Sequence, residues 1–202
     1  DLVVATGSQA NVRAAATSGT PAFGVGAGNV AGIVDDSADV EAAADRVLRS
    51  KTFDHATSCS SENALVLVGD VAAPMLDALC RRGAVHLSGD QKAALQALMW
   101  PDGKLSAAAT GQSAVEVARR AGLHDVAARQ PSMLLVDEDG FGPAHPFSGE
   151  KLSPVLAIYR ARSFEDAADI VRSIYAHQGA GHSVGLHTAR ARRALHDQGL
   201  AD

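Results

Sequence analysis

A chain of 202 residues with 47% hydrophobic and 20% charged residues can bury a sizeable core, which excludes a disordered or fibrous protein. Its net charge of −5 argues against a general nucleic-acid binder, because nothing offsets phosphate repulsion. Two cysteines without paired spacing give neither a zinc motif nor a disulfide framework, and no apolar run is long enough to cross a bilayer, so the cytoplasm is the expected compartment.

Asp1 leads straight into a strand over residues 2–5, which suggests a piece excised from a longer protein. That strand stops at Thr6-Gly7-Ser8, and residues 9–17 read as a helix. A strand over 31–34 precedes a helix whose apolar positions Val40, Ala44, Val47 and Leu48 recur at i, i+4, i+7 and i+8. The continuous apolar run 64–68 reads as a buried strand, and residues 71–82, 90–99 and 113–121 as helices. Strands are expected over 133–136 and 155–159. Ser163 to Asp166 resembles a capping box and opens a helix with apolar residues at Phe164, Ala167, Ala168, Val171, Ile174 and Tyr175. A last strand spans 184–187, and the expected loops are 24–29, 101–104 and 137–151. Alternating strands and helices predict an α/β layered fold with a mainly parallel sheet. Arg190, Arg192 and Arg193 fall in a terminal helical pattern and read as a solvated face. His177, His182 and His187 are spaced by five, which would spread them around a helix, so no metal site is expected.

Cys59 is the residue with most to say about function. It lies in a polar stretch, 51–63, between a helical pattern and an apolar strand, where a thiol can be partly exposed and backbone amides can stabilise its thiolate. The competing reading is a buried structural cysteine. Cys80 fits that second reading, because it sits on the apolar spacing of a helix. Three further segments carry possible chemistry. Gly7 and Ser8 close a strand and open a helix, so their backbone and hydroxyl can face a phosphate. The alternating glycines Gly24, Gly26 and Gly28 require close approach to a ligand or another chain segment, or else mark a tight interdomain crossover. Glu150 precedes an apolar strand.

In this order and at these separations, the segments resemble the aldehyde dehydrogenase superfamily, specifically its CoA-acylating branch, from about Val3 to about Thr188. The most specific marks are residues 24–29, residues 50–54 with Cys59 and Glu62, residues 150–154, and residues 181–183. The resemblance implies a three-layer α/β catalytic domain with a Rossmann-like sheet over residues 27–202. Residues 1–26 would be the C-terminal remnant of a cofactor-binding domain. It implies Cys59 as nucleophile, Gly7 and Ser8 at the pyrophosphate of NAD or NADP, and Glu150 at the nicotinamide ribose. His182 would handle protons near a thioester, the alternative being a satisfied polar residue at a strand start. Water-using members carry a glutamate where alignment through Cys59 puts Val25, and without that base the acyl acceptor is expected to be coenzyme A. The implied enzyme is a cytoplasmic homo-oligomer that binds neither nucleic acid nor membrane. Most of the cofactor domain would lie upstream of Asp1, so the isolated chain is expected to be inactive. A hydrolytic aldehyde dehydrogenase and a non-catalytic assembly domain are the alternatives. Acetaldehyde, propionaldehyde, sulfoacetaldehyde and succinate semialdehyde all stay open as substrates.

Overall fold

The structure, a computed structural model, describes residues 1–7, 9–25, 28–180 and 182–190. Ser8, Gly26, Gly181 and the terminal helical pattern holding Arg192 and Arg193 lie outside the described residues. β1 (Val3–Thr6) and β2 (Ala22–Val25), joined through α1 (Gln9–Ala16), pair in parallel as a two-stranded sheet. A six-stranded sheet contains β3 (Val30–Val34), β4 (Glu62–Val68), β5 (Ala84–His86), β6 (Met133–Asp137), β7 (Val155–Ala161) and β8 (Val184–His187). Its order is β5-β6-β7-β4-β3-β8, and every pairing is parallel.

The central strands are apolar throughout because both of their faces are covered. Along β4, Ala64, Val66 and Val68 point into one core while Leu65 and Leu67 point into the other. The second core is closed by α2 (Val40–Thr52) and α3 (Ala72–Arg81), through Ala44, Val47, Met75 and Leu79. The first is closed by α4 (Gly89–Met99), α5 (Ala114–Arg120), α6 (His124–Ala128) and α7 (Phe164–His177). Handedness sorts the layers. The steps β3 to β4 and β4 to β5 run one way across the sheet and place α2 and α3 on one face; the return steps put the other helices on the opposite face, as right-handed crossovers require. Burying each large apolar side chain contributes roughly 1.5–3 kcal/mol.

Side-chain caps set the helix starts. Asp39 accepts from Ala42 N, Ser113 from Glu116 N, and Ser88 with Gln91 forms a reciprocal capping box. At α7 only half of the expected box forms: Ser163 Oγ accepts from Asp166 N, but the Asp166 carboxylate turns to the amide and guanidinium of Arg162. Three elements differ from the sequence reading. β2 occupies part of the glycine-rich stretch expected as loop, β5 is a three-residue strand directly after Gly83, and α6 is one short turn. Cys80 is exposed, not buried. The buried stripe of α3 runs through Met75, Ala78 and Leu79, and Cys80 lies one residue past it on the outer face. No helix among the described residues is long and apolar enough to cross a membrane.

Candidate active site

Because the six strands are parallel, the segments that lead into them meet along one edge of the sheet. Gly28 and Asn29 lead into β3, Cys59 into β4, Glu150 into β7 and His182 into β8. Four of the marked segments are thereby brought to the N-terminal edge, far apart in sequence and tied by side-chain amides. Buried Asn29 donates from Nδ2 to Ser148 O (2.8 Å) and Gln178 O (3.2 Å). Gln178 Oε1 accepts from Glu150 N (3.3 Å), and Asn63 Oδ1 accepts from Lys151 N (3.0 Å). Backbones pack tightly where these segments cross: a Cβ on Gly179 would lie 2.5 Å from Asn29 Cβ.

Cys59 is exposed and sits in a turn closed by Ser61 N donating to Ser58 O (3.0 Å). Among the described residues its own amide makes no hydrogen bond, so the N–H is free to meet developing negative charge beside the sulfur. Gly28 packs directly on this turn; a Cβ there would lie 2.6 Å from Cys59 O and 3.1 Å from Cys59 Cβ. Close approach to another chain segment is therefore what this glycine provides. Upstream, Asp54, His55 and Ala56 all adopt left-handed backbone, at φ of 48°, 52° and 59°. Each such non-glycine residue costs on the order of 1–2 kcal/mol. The run turns the chain out of α2 and into the Cys59 turn, and Thr57 helps hold it through its amide and hydroxyl on Asp54.

Glu150 is half-buried, and burial pushes its carboxyl up, opposed by the nearby Lys151 and Lys51 ammonium groups. Both lysines are fully buried. Lys151 spends its Nζ on Phe147 O (2.6 Å) and Gly149 O (2.8 Å), which shapes the approach to Glu150. Lys51 continues the buried stripe of α2, after Ala43, Ala44 and Val47, and burial pulls its amine down to about 7 against the attraction of Glu62 and Glu150. His182 is half-buried at the start of β8, with Nδ1 3.1 Å from Ser183 Oγ and its amide on Gly179 O. Gly7 stands apart, closing β1 in the small sheet at φ +104°, with nothing within 4 Å of a Cβ position.

Sequence reasoning singled out Cys59, Glu150 and His182 but passed over Asn29, Asn63 and the ionisable character of Lys51. The signal for Lys51 was present, since it falls four residues after Val47 on the core-facing side of α2.

Two other places among the described residues gather polar groups. A cleft of about 710 Å³ lies at the opposite edge, among the segments that follow β3, β4 and β7, lined by Asp36, Asp70, Arg162 and Glu165 among others. Open α/β sheets ordinarily bind ligands at that carboxyl edge, yet none of the marked residues lies there. Glu138, Asp139 and His145 also bring ligand atoms within 4.8 Å of one another. Glu138 is already committed, with Oε1 accepting from His145 Nδ1 and from the amides of Asp139 and Gly140, and Oε2 paired with Lys92.

No protein-family model matches the chain. It is 64% identical over 195 residues to the acylating sulfoacetaldehyde dehydrogenase of Cupriavidus necator, covering 96% of this chain and 40% of that protein. An acetylating aldehyde dehydrogenase from Geobacillus thermoglucosidasius superposes with TM-score 0.90 at 33% identity, over 97% of this chain and 43% of that one. A propionaldehyde dehydrogenase from Rhodopseudomonas palustris, with bound propionyl-CoA, superposes with TM-score 0.88 at 26% identity, over 99% and 43%. The chain thus spans less than half the length of these relatives.

Proposed function

This chain belongs to the CoA-acylating branch of the aldehyde dehydrogenase superfamily, and from that premise we propose that it carries the thiol site of an enzyme converting an aldehyde to an acyl-CoA with NAD+ or NADP+. The observation that carries the reading is the assembly of one sheet edge from four distant segments, with exposed Cys59 seated on Gly28 and a half-buried carboxylate and imidazole at neighbouring strand starts.

In this reading Cys59 thiolate adds to the aldehyde carbonyl, and its free amide faces the resulting alkoxide. The nicotinamide cofactor, when bound, supplies the hydride acceptor. Cys59 is left as a thioester, which the CoA thiol displaces, and His182 handles the proton at that exchange. Glu150 would accept the ribose hydroxyls, and Gly7 and Ser8 would meet the pyrophosphate. The residues present suit such a ligand: a half-buried carboxylate stands at the sheet edge, and the backbone at Gly7 is open where a side chain would otherwise project. Val25 offers no base to water, so CoA is the acceptor.

Residues 1–26 are the closing part of the cofactor-binding domain and residues 27–202 the catalytic domain. Supporting this division, β1 and β2 form their own sheet, and Leu2, Val4, Phe23 and Val25 leave it with an exposed apolar face. The whole protein is a cytoplasmic homo-oligomer without affinity for nucleic acid. Sulfoacetaldehyde is the first aldehyde to test, because the relative from C. necator carries that name. The test is product analysis on the full-length protein carrying this domain, with and without CoA, beside Cys59→Ala. Acyl-CoA formed only with CoA and only with Cys59 present supports the assignment. Free acid released at full rate without CoA would replace it with the hydrolytic alternative, and full turnover by Cys59→Ala would remove the thiol mechanism.

A further inference from the structure

Beyond the residues assigned so far, we propose that Asn29 is a positioning residue: its side-chain amide holds the segments bearing Glu150 and His182 at a fixed offset from the Cys59 turn. This rests on the reading of those three residues as cofactor contact, proton-handling group and thiol.

The sheet order sets the problem. β4, with Cys59 in its lead-in, lies between β7 and β3, and β8 lies on the far side of β3. Cys59, Glu150 and His182 therefore enter on three different strands, and the ladder bonds within the sheet do not fix the segments ahead of it. Asn29, at the foot of β3, joins them. Its Nδ2 donates to Ser148 O (2.8 Å), two residues before Glu150, and to Gln178 O (3.2 Å), four residues before His182. Those partners stand 119 and 149 residues further along the chain. Because β3 and β7 are not neighbours, the tie to Ser148 spans the lead-in of β4, the segment that carries Cys59.

Each contact continues to a site group. Asn29 follows Gly28, whose backbone packs on the Cys59 turn with no room for a Cβ. Gln178 Oε1 accepts from Glu150 N (3.3 Å), and Gly179 O accepts from His182 N (3.2 Å). Gly179 itself lies against Asn29: a Cβ there would stand 2.5 Å from Asn29 Cβ and 2.9 Å from Asn29 N, and its φ of +96° favours glycine. The chemistry asks for a primary amide. Aspartate would set carboxylate oxygens against two carbonyl oxygens, and serine could donate to only one of them. Asn29 is fully buried, and its Oδ1 has no hydrogen-bond partner among the described residues. An unpaired buried acceptor works against folding, so the residue is explained by where its donors go. Asn63 is the useful contrast, because its Oδ1 accepts from Lys151 N and its Nδ2 donates to Ser61 O, which leaves neither end of that amide unpaired.

The experiment uses the full-length protein with Asn29→Ala, Asn29→Ser, Glu150→Gln and His182→Ala, and with Asn29→Ala joined to each of the last two. KM for NAD+ and NADP+ reports on the Glu150 segment, the rate of thioester release to CoA on the His182 segment, and thermal melting on the fold. Asn29→Ala is expected to raise cofactor KM and to slow release by about tenfold each, since a displacement of about 1 Å can cost up to a hundredfold. Asn29→Ser, with one donor left, should fall between. A positioning residue acts through its partner, so Asn29→Ala should add little to the cofactor KM of Glu150→Gln and little to the release rate of His182→Ala. Effects that multiply in a double variant overturn that arm of the proposal. Unchanged constants in Asn29→Ala, beside impaired Glu150→Gln and His182→Ala, overturn it whole. So does loss of cooperative melting in both Asn29 variants, which would make the amide a requirement for folding and nothing more. Unchanged cofactor KM in Glu150→Gln, or unchanged release in His182→Ala, overturns the reading of that residue itself.

Discussion

Replacing Gly28 with alanine puts a methyl group where the backbone of another segment already stands. The new Cβ would lie 2.6 Å from Cys59 O and 3.1 Å from Cys59 Cβ. The carbonyl has little freedom to yield, because it belongs to the turn closed by Ser61 N and Ser58 O and runs at once into β4. Relief requires movement of several tenths of an ångström in either the start of β3 or the Cys59 turn, and overpacking of this kind costs about 1–3 kcal/mol. For a domain of this size 2 kcal/mol corresponds to a fall of about 4–8 °C in Tm. Catalysis should suffer more than stability, since displacing a reacting group by about 1 Å can cost a hundredfold in rate. The assay pairs thermal melting with iodoacetamide labelling of Cys59, using exposed Cys80 in the same chain as internal standard. Gly89→Ala, in the first turn of α4 with nothing near its Cβ position, is the control and should melt no lower than wild type. A Gly28→Ala protein with wild-type Tm and an unchanged ratio of Cys59 to Cys80 labelling would refute the steric argument.

Lys51→Met should stabilise the domain at neutral pH and flatten its pH dependence. The amine titrates near 7 when folded and near 10.4 when unfolded, so from pH 7 to 10 the unfolded chain binds more protons and wild-type stability rises by up to about 4 kcal/mol. Urea unfolding at pH 7, 8 and 9 measures this, and equal slopes in both proteins count against it; Lys151, lowered by burial too, leaves a residual slope of the same sign. Glu138→Gln should cost about 1–3 kcal/mol at pH 7, because the amide keeps an Oε1 acceptor for His145 and two backbone N–H groups but sets an NH2 donor against the Lys92 ammonium where Oε2 stood and removes the charge. Burial raises Glu138, but His145 and Lys92 outweigh it and hold the carboxyl below its usual range, so its stabilisation is present above the ordinary value and lost as pH falls through the folded one. Melting below pH 4.5 should therefore show an acid step that Glu138→Gln lacks. Val25→Glu in the full-length protein should divert product from acyl-CoA to free acid, and an unchanged product ratio would show that a carboxylate there cannot activate water.

Much of this fold was readable where a segment obeys one rule at a time. β8 and α7 match their expected spans closely, because one is a short apolar run and the other has a serine cap and an unbroken apolar stripe. β5 was invisible because three residues carry no period, and only pairing with β6 makes Ala84–His86 a strand. β2 was hidden by Gly24, which reads as loop until α1 is seen packing on it: a Cβ there would meet Val12 at 2.4 Å. Cys80 was misjudged because its spacing touches the apolar stripe of α3 without falling inside it. Within the site, the thiol and the carboxylate stood out through their flanking residues. The amides of Asn29 and Asn63 did not, since their partners at Ser148, Gln178 and Lys151 are remote in sequence and topology alone brings them close.

The proposed thiol site at one rim of the sheet and a roomy cleft at the other make the strands a partition. Changes at the far rim, around Asp36, Asp70 and Glu165, are separated from Cys59 by the length of β4. That rim is where a label, a linker or a neighbouring subunit can be attached with the thiol undisturbed. The near rim is the reverse case, because each segment there is also the first step into a strand, and nothing can be inserted without altering how the sheet begins.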